Sequence, residues 1–239
     1  MSKRERPIYL DYNATTPHDP EVVEAMRPFL EREFGNPSSS HIYGAAPRHA
    51  VALAREEVAG LMNAPREQIL FTSGGTESNN YAIIGAARTL QNRGNHIITS
   101  TVEHPAVANA CDYLERAEFT VTRIPVDEYG MVDPTDVQAA VRPETILITV
   151  MHANNEIGTI EPIREIAAIA SAHDVLMHTD AAQSLGKIPV DVAELGVDLL
   201  TIAGHKLYAP KGVGALYIGP GVHLAPLMHG GGQEGGRRP

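Results

Sequence analysis

Seven short apolar, β-branched runs alternate along this chain with longer segments of helical period. That alternation predicts an α/β fold, a mostly parallel seven-stranded sheet with helices on both faces. The runs expected as strands are Ile69–Thr72, His96–Thr99, Phe119–Ile124, Thr145–Met151, Val175–Thr179, Asp198–Ala203 and Gly214–Ile218. Between them, Thr76–Gln91, Pro105–Arg116, Pro134–Val141 and Pro162–His173 repeat apolar residues every three or four positions and read as amphipathic helices. Pro105, Pro134 and Pro162 suit a first helical turn, and Asp133 is placed to cap its helix. Upstream, Pro20–Phe34 and Ala45–Met62 also read as helices, joined by the polar, glycine-punctuated loop GNPSSSHIYG at 35–44.

Composition narrows the class. With 239 residues, 43% apolar and 20% charged, the chain suits one large domain with an appendage and excludes disordered, fibrous and disulfide-stapled classes. A net charge of −10 argues against nucleic acid as the main partner. Cys111 is the only cysteine, which excludes an internal disulfide and a multi-cysteine zinc site and fits a reducing compartment. Lying within a predicted helix, it is expected to be a core thiol. The N-terminus turns polar too early for a secretion signal, and no run of eighteen apolar residues occurs, so a cytoplasmic protein without a membrane partner is expected. The segment HGGGQEGGRRP at 229–239 has no packing element after it, so the chain is expected to end before its fold does.

Five of the expected strands run directly into polar, small-residue segments: SGGTESNN, STVEH, HANNE, DAAQ and GHK. In a parallel sheet such strand ends share one edge, where ligands bind. Thr76, His104, Asn155, Asp180, Gln183, His205 and Lys206 are therefore expected to converge. SGGTES at 73–78 leaves a strand and opens a helix, an arrangement that can cradle an anion or phosphate. It fits neither a Walker loop nor the dinucleotide fingerprint. Lys206, just past an apolar strand, would be partly desolvated, as a Schiff-base lysine must be. Asp180 ends a buried strand and needs a cation, either a protonated pyridine nitrogen or one of Lys187, Lys206 and Lys211. His104, before a proline-started helix, could cap it, or could stack on a cofactor ring and move protons. Taken singly, each feature is read more economically as structure. Together they describe a pyridoxal-phosphate site.

At this point the chain resembles the cysteine desulfurases and the related selenocysteine lyases, in the class V aminotransferase branch of fold type I pyridoxal-phosphate enzymes. The likeness runs in order through YLDYNATTP (9–17), GNPSS (35–39), FTSGGTESNN (71–80), VEHPA (102–106), HANNEIG (152–158), HTDAAQSLGK (178–187), GHKLYAPKGVGALY (204–217) and HGGGQE (229–234). The resemblance implies that pyridoxal 5′-phosphate is held covalently by Lys206, with Asp180 on the ring nitrogen and Gln183 on the ring hydroxyl. Gly75, Thr76 and His205 would hold the phosphate, His104 would stack on the ring and assist proton transfer, and Asn155 would lie near the ring and the substrate carboxylate. No metal is implied. The substrate would be L-cysteine or L-selenocysteine, with alanine as product and the sulfur passing as a persulfide to an acceptor, as in iron–sulfur cluster assembly. The same resemblance implies a homodimer and a sulfur-acceptor or scaffold partner.

Residues 16–239 would then be the cofactor-binding large domain, incomplete at its C-terminus, and residues 1–15 a segment that packs with a C-terminal small domain absent from this sequence. That small domain would supply the catalytic cysteine and an arginine for the substrate carboxylate. One departure lies within the chain. Where family members carry a phosphate-binding serine three residues before the lysine, this sequence has Ala203, a substitution that the resemblance associates with the selenocysteine lyases. The alternatives are a catalytically incompetent binding or assembly module and another class V aminotransferase.

Overall fold

Each of the seven apolar runs becomes a strand of a single sheet in the computed structural model, which describes residues 7–239. Residues 1–6 of the expected N-terminal segment lie outside the described residues. In chain order the elements are α1 (Pro20–Glu31), α2 (Ala45–Gly60), β1 (Ile69–Thr72), α3 (Gly75–Leu90), β2 (His96–Ser100), α4 (Pro105–Arg116), β3 (Thr120–Ile124) and α5 (Pro134–Ala140). There follow β4 (Thr145–Thr149), α6 (Ile163–Ala172), β5 (Leu176–Asp180), α7 (Val192–Leu195), β6 (Leu199–Ala203) and β7 (Gly214–Ile218).

The strand order is β1-β7-β6-β5-β4-β2-β3. Pairings among β2, β3, β4, β5 and β6 are parallel, whereas β7 runs antiparallel to both its neighbours, β1 and β6. Two reversals cancel, so β1 points the same way as β6. The C-terminal ends of β1, β2, β4, β5 and β6 consequently share one edge of the sheet, as the sequence pattern predicts.

Alternation along each strand sends side chains to two cores. Ile98, Leu200 and Tyr217 join a cluster with Met62 after α2, Val137 of α5, and Ile163 and Ile166 of α6. Their neighbours Ile97, Leu199 and Leu216 face α3 and α4 across the other side. Fully buried side chains such as Ile97, Ile98 and Leu147 each contribute roughly 1.5–3 kcal/mol of burial free energy. The two strand histidines in this interior are paired on both ring nitrogens. His178 on β5 lies between Thr149 (2.7 Å) and Thr201 (3.1 Å), and burial lowers its pKa to about 3, so it is neutral. His96 likewise bridges Thr145 and Thr122 and is lowered to about 4 by burial, with the charge of Arg142 adding to the effect.

Helix starts follow the expected chemistry. Asp133 accepts the Thr135 N–H at 2.8 Å, and Pro105 and Pro134 open their helices. Most other boundaries shift by one or two residues, and three of the differences have a visible cause. Pro162 stands just outside α6 at the cap position rather than within it. The first helix stops at Glu31 because Arg32 leaves helical geometry, which leaves Phe34 exposed in an irregular stretch. The fourth strand stops before Met151, whose N–H is taken by the Glu103 carboxyl rather than by a neighbouring strand. The short α7 is too brief to show a period, and Asp191 caps it.

One contact ties the sheet to the functional edge. Gly214 on β7 lies against Gly74, the residue before α3, so closely that a Cβ there would fall 2.6 Å from the Gly74 Cα and 2.7 Å from the Ile202 carbonyl oxygen. Gly74 itself has φ +151°, a conformation essentially restricted to glycine. Gly214→Ala is therefore expected to destabilise the protein by about 1–3 kcal/mol. Urea unfolding measures this, and an unchanged midpoint would contradict the contact.

Candidate active site

Every site residue expected from the sequence lines one cavity of about 470 Å³ at the shared strand edge: Gly75, Thr76, His104, Asn155, Asp180, Gln183, His205 and Lys206. Such a volume suits a small organic ligand. Lys206 follows β6 in a single 3₁₀ turn, Gly204–Lys206, and its Nζ donates to the carbonyls of Asn13 and, at 3.0 Å, Ala14. Burial, reinforced by the charge of Lys187, lowers its pKa against the pull of Asp180, Asp11 and Glu156. More of the amine is therefore free base than on an exposed lysine.

Asp180 closes β5 at the cavity floor and is 5% exposed. Its Oδ2 accepts from Asn79 Nδ2 at 2.7 Å and its Oδ1 from the Ala182 N–H at 2.9 Å. Burial pushes its pKa up against these bonds and against the charges of His104 and Lys206. Among the described residues no cation pairs with it. Lys187 donates to Gln183, and Lys206 to the Asn13 and Ala14 carbonyls. The lysine partner that would have made Asp180 purely structural is thus not in place. Beside it the buried Asn79 Oδ1 has no donor.

The β1–α3 turn also lines the cavity. The first N–H groups of a helix lack intrahelical acceptors, and no side chain caps α3. Gly75 presses on Ala203, where an added Cβ would stand 3.2 Å from the alanine Cβ. His205 lines the cavity as well. Its Nδ1 lies 3.2 Å from the Thr15 hydroxyl, and burial together with Lys206 and Lys211 keeps it from protonating as readily as free histidine. Among the described residues the cavity therefore combines uncommitted backbone N–H groups and lysines with an unpaired carboxylate and an orphaned amide oxygen. That arrangement fits a ligand that is anionic at one end and offers an N–H at the other, as pyridoxal phosphate does.

His104 both caps and lines. Its Nδ1 accepts the Ala106 N–H at 3.1 Å, which leaves Nε2 as the proton-bearing atom. Gln183 spends its amide on the Asn13 carbonyl and Asn155 on Glu156. Cys111 is fully buried in α4, where burial pushes its thiol up to about 12, and it is inert as a nucleophile.

Sequence reasoning passed over three contributors. Asn79 lies three residues after Thr76 on α3, a spacing that puts it on the same helical face. The Asn13 and Ala14 carbonyls meet Lys206 across more than 190 residues, with no local signal. Glu103 precedes His104; its Oε1 accepts from Ser100 Oγ (2.7 Å) and the Met151 N–H (2.9 Å), while its sealed Oε2 has no partner. These bonds tie the His104 turn to the end of β4.

Burial, with the charges of Asp180 and Glu161 adding to it, raises the Glu103 pKa from 4.5 to about 8. An unfolded chain releases this proton near 4.5, whereas the folded protein keeps it. The stability it contributes is therefore complete below about pH 4.5 and is lost as pH rises towards 8. Glu103→Gln should flatten stability between pH 5 and 8 by up to about 1.4 kcal/mol per pH unit relative to wild type. Parallel curves in urea titrations across that range would contradict the buried acid.

The aminotransferase class-V family model matches residues 8–235. The chain is 58% identical over 98% of its length to the cysteine desulfurase IscS of Dictyoglomus turgidum and 50% identical, also over 98%, to the cysteine desulfurase of Mus musculus. It spans 59% and 51% of those relatives' lengths. Among solved structures it resembles SspA in complex with cysteine, with a TM-score of 0.93 and 44% identity, covering 96% of this chain and 67% of the other.

Proposed function

The chain belongs to the aminotransferase class-V family, and from that premise we propose that it is the pyridoxal-phosphate-binding part of a cysteine desulfurase. The observation that carries this reading is the cavity shared by Lys206, the unpaired Asp180 and the glycine turn opening α3. The substrate proposed is L-cysteine, supported by the names of the relatives and by the cysteine complex of a structural neighbour.

When bound, pyridoxal phosphate supplies a sink for the electron pair left at the substrate's α-carbon. The chain's residues do the rest. Gly75, Thr76 and His205 hold the phosphate, with the Thr15 hydroxyl orienting the histidine ring. Asp180 holds a proton on the ring nitrogen through its charge, and Asn79 aims that carboxylate. Lys206, whose pKa burial lowers, is the nucleophile and takes the substrate's α-proton. His104 would lie against the ring and hold or move a proton at Nε2, its Nδ1 being occupied. Gln183 and Asn155 serve the ring hydroxyl and the substrate carboxylate by exchanging their present partners.

Overall, the Cβ–S bond of cysteine breaks, an S–S bond forms on an acceptor thiol, and the thiol's proton is balanced by the C–H bond that makes alanine. Cys111 is sealed, so that thiol comes from outside these 239 residues. A homodimer, a small domain packed on the N-terminal segment, a sulfur-accepting partner for iron–sulfur cluster assembly and a cytoplasmic location complete the proposal. Exposed Ile8, Leu10, Phe34, Ile42 and Tyr43 offer apolar surface for such contacts. No helix among the described residues is long and apolar enough to cross a membrane.

Borohydride treatment in the presence of pyridoxal phosphate should fix the cofactor's mass on the peptide containing Lys206 and on none in Lys206→Ala. Labelling elsewhere in the variant would refute the assignment. In the whole protein, Asp180→Asn is expected to lower alanine formation from L-cysteine by at least about 100-fold. Its thermal stability should not fall, because an uncompensated buried charge is removed. Retained turnover would refute the role of Asp180.

A further inference from the structure

The turn proposed to receive the phosphate carries an acidic side chain. Glu77, in the first turn of α3, lines the cavity beside Gly75 and Thr76. A carboxylate suits a bare helix N-terminus, but beside a bound dianion it adds like charge. The structure ties that carboxylate down. Arg238 donates from Nε to Oε1 at 2.6 Å and from Nη2 to Oε2 at 3.0 Å, and the Ser73 N–H donates to Oε2 at 2.7 Å. The paired side chains are 29% and 9% exposed, so water screens them weakly. Burial pushes Glu77 up, but the bonds from Arg238 and Ser73 outweigh it and hold the carboxyl below its ordinary range.

Arg238 is held in place by the segment that carries it. Glu234 receives both Arg55 Nη atoms at 2.7 Å and the Phe71 N–H at 3.0 Å, and Arg55 also lies over the Phe71 ring. Tyr81 donates its hydroxyl to the Arg237 carbonyl at 2.9 Å. Phe71 belongs to β1, at the sheet edge, and Tyr81 to α3. Residues 233–238 thus grip the elements on both sides of the glycine turn.

We infer that Arg238 is a positioning residue for the cofactor phosphate: its bidentate pairing with Glu77 cancels the carboxylate charge on the phosphate side of the cavity and leaves the Gly75 and Thr76 N–H groups free for the anion. This rests on the reading above that the turn binds the phosphate of pyridoxal phosphate. Equilibrium titration of the whole chain with pyridoxal 5′-phosphate and, in parallel, with pyridoxal, which lacks the phosphate, tests it. Arg238→Gln is expected to weaken pyridoxal-phosphate binding about tenfold, the effect of one uncompensated charge nearby, and to leave pyridoxal binding unchanged. Adding Glu77→Gln to that variant is expected to restore pyridoxal-phosphate affinity to within about threefold of wild type. Unaltered binding in Arg238→Gln, equal loss for both ligands, or a double variant that stays weak would each overturn the inference. A wild-type chain that binds neither ligand would overturn the site reading itself, an outcome distinct from failure of Arg238 alone.

Discussion

A buried carboxylate that no cation pairs among the described residues is the constraint around which this molecule is organised. Asp180 sits at the end of a central strand, almost without water, held by one amide and one backbone N–H. Left ionised there it costs folding free energy, and its raised pKa is the expression of that cost. A site that keeps such a group is built for a partner that arrives from outside. The surrounding order follows from sheet topology. Because β7 inserts antiparallel between β1 and β6, the turn after β1, the aspartate after β5 and the lysine after β6 all open on the same edge.

The electrostatics of the cavity run against those of the whole chain. The net charge is −10, yet Lys206 and Lys211 stand with uncommitted helix N–H groups along the cavity. Acidic residues nearby are neutralised by specific means. Glu77 is clamped by an arginine, and Glu103 keeps its proton because it is buried. Both groups sit next to residues proposed to touch the cofactor, at the first turn of α3 and immediately before His104. Local charge is thus set by pairing and desolvation, not by composition.

Much of this was legible in the sequence because strand and helix periods are local. Apolar, β-branched runs such as HIIT at 96–99 and TILIT at 145–149 announce buried strands, and polar segments placed directly after them identify the ligand edge. The seven strands, the capping role of Asp133 and the convergence of Thr76, His104, Asp180 and Lys206 all follow from that pattern. What stayed hidden depends on contacts between distant parts of the chain. The antiparallel course of β7, the Asn13 and Ala14 carbonyls over Lys206, the Glu103 bond to Met151 and the grip of Glu234 and Arg238 leave no periodic trace. The glycine-rich tail at 229–239 has no packing element after it, yet its polar side chains anchor β1 and the turn that opens α3.

The central claim is that one cavity holds a single ligand between Lys206, Asp180 and the α3 turn. A crystal structure of the chain grown with pyridoxal 5′-phosphate tests it most directly. The account predicts ligand density continuous with Lys206 Nζ, the phosphate at Gly75 and Thr76, and the ring nitrogen beside Asp180. Density joined to another lysine, or a ring turned with its nitrogen away from Asp180, would contradict it.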